Sequence, residues 1–313
     1  KGQVKSNIRI CAGANVCIAN RYAGKPIRCI QNALVHTPDA TLDPALTPKR
    51  IAIIGAGPAG LECARIAAER GHHVEVFEAS DTPGGQLALW ARAPSRKELA
   101  RVIDWRIDEL ARLKVPVFYH RLMDHESIDR LGAQVIVIAT GGLDHCRQFS
   151  ASNPIPIVSP HQILNADYPR AKKALILNEG RGQAGLTAAE MLLAAGVDLE
   201  IITSDIAVAA DLDPTNRTPW YQRLGEKGCR FLAAHILKTI NSDQVVLQNV
   251  FDGREAHRAG IDLIVDWSGA KANDALIDGT RALTGETHSI GDCRAPRTVE
   301  VAISEATALA LKL

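Results

Sequence analysis

The spacing richest in chemistry is Gly55-Ala56-Gly57-Pro58-Ala59-Gly60, which directly follows the apolar run Ile51-Ala52-Ile53-Ile54. In such a turn the first glycine makes the tight bend. The second lets the backbone approach a pyrophosphate, and the third lets helix and strand pack closely. The helix that opens at Pro58 and Ala59 offers unpaired N–H groups and the positive end of its dipole to phosphate oxygens. Glu78 follows Gly55 by 23 residues and ends a second strand, where a carboxylate can accept hydrogen bonds from a ribose. A second turn of the same spacing, Gly180-Arg181-Gly182-Gln183-Ala184-Gly185, also follows a strand. Asn178 and Glu179 lengthen it, and no clear acidic residue ends the strand beyond it, although Asp205 lies near the ribose position. A third constellation is sulfur: Cys11, Cys17 and Cys29 cluster near one end, as metal-binding thiols do in a reducing compartment.

These residues need strands and helices to aim them, and the apolar pattern supplies both. Residues 1–47 have little periodicity. From 48 onward short β-branched runs alternate with helical stretches, which predicts an α/β chain with parallel strands. The first half-unit is strand 50–54, helix 58–70 and strand 73–78, with His72-His73 read as a solvated or capping pair. A charged helix over about 96–113, a strand at 115–119 and the run Val135-Ile136-Val137-Ile138-Ala139 follow. The pattern restarts at Lys173 with strand 174–177, helix 184–195 and strand 199–202. A helix after Pro219, strands near 230–239 and 244–250, a strand at 262–266 and a last helix from about 298 complete the reading. Two βαβ openings predict two Rossmann-like three-layer dinucleotide-binding domains preceded by an irregular cysteine-containing segment. The expected division is 1–47, then 48–150 plus 265–313, then 151–264.

Bulk properties narrow the function. The 313 residues allow two ordinary domains, and 46% apolar residues suffice for full cores. Thirty-six basic against 35 acidic residues leave a formal charge of +1, so nothing in the charge balance favours nucleic acid or an anionic membrane as a partner. No apolar run approaches the roughly 20 residues of a membrane span. The absence of a signal peptide points to a cytoplasmic chain. The start at Lys-Gly-Gln-Val, without an initiator Met, suggests a fragment of something longer.

Further short elements give the turns a context. Thr82-Pro83-Gly84-Gly85-Gln86 follows the second strand, Ala139-Thr140-Gly141-Gly142 closes the strand at 135, and Ser289-Ile290-Gly291-Asp292 precedes the last helix. In this order they resemble the flavoprotein reductases with two dinucleotide domains. That resemblance implies FAD in the first domain, with Asp292 hydrogen-bonded to the flavin ribitol. The cysteine segment resembles the iron–sulfur segment of the 2,4-dienoyl-CoA reductase and trimethylamine dehydrogenase family, where four cysteines bind a [4Fe–4S] cluster. Here Ala14 stands where the second cysteine belongs. Three thiolates remain, for a smaller cluster or one with an outside ligand such as Asn15 or His36; the alternative is three reduced thiols in a linker that has lost its cluster. Cys63, Cys146, Cys229 and Cys293 read as ordinary thiols. Cys-Ala-Gly-Ala-Asn-Val-Cys-Ile and Gly291-Asp292-Cys293-Arg294-Ala295-Pro296-Arg297 resemble the N-methylproline demethylase-like branch.

The resemblance implies an FMN-bearing TIM barrel as the companion domain or subunit, with no counterpart in these 313 residues. In a dehydrogenase or demethylase, electrons would run from barrel FMN through the cluster to the FAD region and an external acceptor such as an electron-transfer flavoprotein. In a reductase they would run from NAD(P)H inward. The worn second turn favours the first direction. A non-catalytic scaffold holding ADP in the old FAD site is the third reading, and the substrate residues lie outside this sequence.

Overall fold

The computed structural model describes residues 8–36, 40–147, 155–180, 182–241, 244–283 and 286–313. Arg181, the expected 150/151 boundary and the His36 side chain fall outside the described part. The chain divides into two compact units. The first comprises 1–91, 97–143 and 271–313, and the second 92–96 and 144–270. The crossings thus lie at 91/92, 96/97, 143/144 and 270/271, and the cysteine segment belongs to the first unit.

In the first unit five parallel strands form one sheet in the order Glu286–Ser289, Val135–Ile138, Arg50–Ile54, His73–Phe77, Val117–Phe118. Ile51 pairs with Val74 on one side and Val135 on the other. Helices cover both faces of these inner strands, so Val135–Ile138 is buried at every position and reads as an unbroken apolar run. Helix Pro58–Glu69 packs between the last helix, Val299–Ala310, and helix Ala100–Arg112. Nearly its whole circumference is therefore buried, from Ala59 to Ala67. Its small residues Ala59, Gly60, Ala64 and Ala67 make that possible, because close helix approach needs short side chains.

The second unit repeats the theme. Its parallel sheet runs Ile157–Val158, Leu263–Trp267, Lys173–Asn178, Asp198–Ile202, Arg230–Leu232. An antiparallel sheet of His235–Ile240, Gln244–Asn249 and Glu255–Ala259 adds Val245 and Leu247 to a core shared with Leu175, Leu177 and Ile264.

Several elements differ from the sequence reading. The helix expected after Pro219 starts at Pro214, capped by Asp213, whose Oδ1 accepts the Thr215 N–H at 2.9 Å, and Pro219 lies inside it. Pro219 lies beyond the first turn and so gives up the one helical bond its amide would have made to the Thr215 carbonyl. Helix Gly85–Trp90 and strand Glu286–Ser289 were not anticipated. His72 is not solvated: it is 5% exposed, and its Nδ1 accepts the Lys49 N–H at 3.1 Å. Among the described residues no helix is long and apolar enough to cross a membrane.

Candidate dinucleotide-binding sites

The carboxyl ends of four adjacent strands meet in the first unit, and each carries an expected site residue: Gly55 after Ile54, Glu78 after Phe77, Thr140 after Ile138 and Gly291 after Ser289. This is the end of a parallel sheet at which open α/β folds bind ligands. Gly55 has φ +112°, and its N–H donates to the Phe77 carbonyl at 2.7 Å. A side chain there would strike the Ala139 carbonyl, and a Cβ on Gly60 would strike the Gly55 carbonyl. Gly57 is different. It caps helix Pro58–Glu69 with an ordinary φ of −72°, and nothing lies within 4 Å of where its Cβ would be. The space beside Gly57 is what a phosphate needs, with Pro58 and the buried Ala59 beginning the helix behind it.

Glu78 is turned onto this loop. Its Oε2 accepts the Ala56 N–H at 2.7 Å, while Oε1 accepts the Ser80 N–H and hydroxyl at 2.9 and 2.7 Å. The Gly84 N–H donates to the Ala56 carbonyl at 2.8 Å, and a Cβ on Gly85 would come within 3.5 Å of Gly57 Cα. Both glycines have positive φ, +106° and +51°. Gln86 Nε2 donates to the Gly142 carbonyl at 2.6 Å, and a Cβ on Gly142 would sit 3.4 Å from Asp292 Cβ. Thr140 Oγ1 donates to the Asn273 carbonyl at 2.7 Å, and Gly141 turns the chain with φ +78°. Gly291, φ +71°, lies against Ala59, and its N–H donates to Glu305 Oε2 at 3.0 Å. Burial pushes the Asp292 carboxyl up, and the Arg297 backbone N–H at 3.0 Å and the Arg297 charge pull against it. The residues of the first unit expected to bind a dinucleotide are thus gathered at one sheet end, and the three cysteines are not among them. The residues fit a dinucleotide: an open glycine amide, a helix start, an acidic group on the turn and a second carboxyl beside it.

A cleft of about 430 Å³ opens at the opposite end of the same sheet, lined by Arg50, His72, His73 and Lys114 among others. It lies at the amino ends of the strands, away from the residues above.

The second turn is built differently. The Gly180 N–H donates to the Trp267 carbonyl at 2.6 Å, and a Cβ on Gly185 would strike the Asn178 carboxamide. Gly182, φ +85°, donates its N–H to Asp211 Oδ2 at 2.7 Å. Glu179 takes the tip of the next strand: Ser204 gives it its N–H at 3.0 Å and its hydroxyl at 2.5 Å. Asp205 is exposed. Sequence reasoning missed both Glu179 and Asp211. Glu179 had a signal, an acid directly before the first glycine; Asp211 lies in a loop 29 residues beyond Gly182, and no local pattern marks it.

Cys11 and Cys17 are exposed and Cys29 is half-buried. Cys11 Sγ accepts the Gly13 N–H at 3.4 Å, and Cys29 Sγ accepts the Gln31 N–H at 3.3 Å. Amide donors of this kind suit a thiolate and tune a cluster it binds. No three His, Cys, Asp or Glu side chains converge on a single metal ion among the described residues. A cluster asks for something else, since each thiolate binds its own iron. The other four cysteines are buried or half-buried, and burial pushes their thiols up, Cys63 to about 12 and Cys146 to about 11.

Two glycine-turn units of this construction define a chain of two Rossmann-like α/β units. The chain belongs to the pyridine nucleotide-disulphide oxidoreductase family, whose model matches residues 28–101 and 49–306. It is 36% identical over 239 residues to a probable N-methylproline demethylase of Rhizobium meliloti (strain 1021), covering 75% of this chain and 35% of the relative. It is 32% identical over 349 residues to an N,N-dimethylglycine/sarcosine dehydrogenase of Chromohalobacter salexigens, covering 96% of this chain and 49% of the relative. Among solved structures, a 2-naphthoyl-CoA reductase in complex with 2-naphthoyl-CoA matches 98% of this chain and 47% of its own, with a TM-score of 0.91 at 24% identity, a likeness of fold. These matches bear out the resemblance drawn from the residues. The chain spans half or less of the length of the curated relatives it matches.

Proposed function

We propose that this chain is the electron-transfer module of an amine dehydrogenase or N-demethylase. The observation that carries the reading is the convergence of Gly57, Glu78, Gln86 and Asp292 at one sheet end. FAD would lie with its pyrophosphate beside Gly57 and the start of helix Pro58–Glu69, its adenosine ribose toward Glu78 and its ribitol toward Asp292. When bound, it supplies two-electron and one-electron chemistry in the same group. The protein holds the cofactor, keeps a carboxyl beside it and shields it with the apolar strand ends. Gly84, Gly85, Thr140, Gly141 and Gly291 shape that pocket, and Gly180, Gly182 and Gly185 shape the corresponding turn of the second unit. Cys11, Cys17 and Cys29 would hold an iron–sulfur cluster, which supplies single-electron transfer.

The relatives' printed activities support the amine-oxidising direction, and their greater length supports a further FMN-bearing barrel domain or subunit as partner. The cysteine segment supports such a partner physically. Ile8, Ile10, Ile18, Tyr22 and Ile27 are all exposed along it, an apolar surface that solvent alone does not explain. An electron-transfer flavoprotein is the proposed acceptor.

The test is the visible spectrum of the anaerobically purified protein, before and after addition of NADH or NADPH. A flavin spectrum with a brown shoulder that neither nicotinamide bleaches is the expected result. Bleaching would favour a reductase of the 2,4-dienoyl-CoA reductase type, for which the second glycine turn is the supporting feature. A colourless protein that binds ADP would leave the scaffold reading.

A further inference from the structure

The second unit contains a carboxylate where a nucleotide's phosphate belongs. In a G-x-G-x-x-G turn the second glycine is the point at which backbone N–H groups meet the pyrophosphate. That glycine is Gly182, and its N–H is already given to Asp211 Oδ2 at 2.7 Å. Helix Ala184–Ala194 begins just behind it, so the anion sits at the positive end of an 11-residue helix. Asp211 has the charge and the acceptor geometry of a phosphate oxygen.

The loop that delivers Asp211 is constructed rather than slack. Val208 and Ala209, just before it, are 0% and 3% exposed. Ala209 takes a left-handed φ of +54°, which is unfavourable for an alanine and persists only when its surroundings hold it. Tyr221 Oη donates to the Val208 carbonyl at 3.0 Å, Arg217 Nη1 to the Ala210 carbonyl at 3.3 Å, and the Leu212 N–H to the Ala209 carbonyl at 3.1 Å. Beyond Asp211, Asp213 caps helix Pro214–Glu226. The loop is thus pinned on both sides of a residue whose own side chain faces the glycine amide. Gln183, a polar side chain among the described residues of the turn, is held elsewhere: Trp220 Nε1 donates to its Oε1 at 2.8 Å, and Arg96 donates to the same oxygen.

We infer that Asp211 is a built-in competitor for the phosphate cradle of the second unit, so a nicotinamide or adenine nucleotide binds there only by displacing it. The inference rests on the second unit being a dinucleotide-binding fold and deepens the proposed direction of electron flow, because a self-occupied cradle keeps NAD(P)H from serving as the everyday donor. Like charge adds to the competition, since a pyrophosphate entering beside a retained carboxylate is repelled.

The experiment is titration of the full chain with NADH, NADPH and ADP, followed by nucleotide fluorescence and calorimetry, in the wild type, Asp211→Asn and Asp211→Ala. Because the proteins differ at one residue of the second unit, any nucleotide taken up by the first unit cancels from the comparison. The outcome is therefore separable from whether the first unit holds FAD. A charged hydrogen bond that no longer competes is worth roughly ten- to a hundredfold in affinity. Asp211→Ala should tighten all three nucleotides by about that factor, and Asp211→Asn by less, since it keeps an acceptor and loses only the charge. Asp211 is exposed, and an unchanged melting temperature in both variants checks that the fold is intact. Equal or weaker binding in both variants would overturn the inference, whatever the affinity of the wild type.

Discussion

Arg106 Nε lies 2.8 Å from Glu62 Oε2, and both side chains are buried, 0% and 1% exposed. The pair joins helix Ala100–Arg112 to the helix that opens at the first glycine turn. Arg65 pairs with the same carboxylate at 2.8 Å, and Arg106 also donates to the Val102 carbonyl and to the Gln31 carboxamide in the cysteine segment. Arg9, from that segment, lies over the Trp105 ring at 4.1 Å and donates to the Gln31 carbonyl. Buried charges hold the cysteine segment to the helix behind the dinucleotide turn.

Removing one member strands the others. Glu62→Gln leaves Arg106 and Arg65 buried with one anion fewer and should cost about 3–5 kcal/mol, read by urea unfolding. The pH dependence has a definite sign. Burial alone would raise the Glu62 carboxyl, but the neighbouring Arg106 and Arg65 outweigh it and hold it down at about 2. Its folded value is depressed, so its contribution is complete above the ordinary value of 4.5 and fades as pH falls from there toward 2. The wild type should lose stability across that window more steeply than Glu62→Gln. Equal slopes would mean that this carboxylate is not held by its arginines.

The glycines of the first turn separate packing from binding. Gly60→Ala forces its methyl into the Gly55 carbonyl and should cost about 1–3 kcal/mol in thermal or urea unfolding. Gly57→Ala meets open space at an ordinary φ, so it should unfold like the wild type. Its methyl nevertheless fills the room a phosphate needs, and FAD uptake after reconstitution should drop at least tenfold, about 1.4 kcal/mol. Normal uptake by a folded Gly57→Ala protein would place the pyrophosphate elsewhere.

Asp292 provides a second handle on the flavin. Asp292→Ala removes the carboxyl proposed to meet the ribitol and should weaken FAD by roughly ten- to a hundredfold while leaving ADP binding at the same turn unchanged. Equilibrium dialysis with each ligand reads the split. Parallel losses of FAD and ADP would point to collapse of the turn.

For the cysteine segment the informative variant adds a thiol. Ala14→Cys restores the four-cysteine spacing, and iron and sulfide per chain should rise over the wild type after anaerobic reconstitution. Cys29→Ser should lower both, and Cys293→Ser, at a buried thiol, should change neither. Iron that stays absent from Ala14→Cys would identify the segment as a linker without a cluster.

The sequence made legible what is encoded locally. Strands Arg50–Ile54, Val135–Ile138 and Lys173–Asn178 are buried on both faces and so appear as apolar runs, and the first glycine turn follows its strand directly. Strand Glu286–Ser289 escaped notice because Glu-Thr-His-Ser is polar and only half-buried at a sheet edge, where pairing with Val135–Ile138 supplies what its side chains do not. The Glu62–Arg106 pair and the Gly182–Asp211 bond escaped for a different reason. Each joins groups far apart in the chain, and a lone charged residue on a helix or loop looks the same whether it meets water or a buried partner.

The discontinuity of the first unit governs the order in which the molecule assembles. Strand Val135–Ile138 lies between Arg50–Ile54 and Glu286–Ser289, and the whole second unit is threaded between those two neighbours. On a ribosome, the outer edge of this apolar strand stays uncovered until Glu286–Ser289 emerges, while the nested unit already holds every strand of its own sheet. The late arrival of Glu286–Ser289 and of helix Val299–Ala310 makes closure of the first unit the slow, long-range step. In that interval the open edge of Val135–Ile138 offers unpaired backbone groups to another chain.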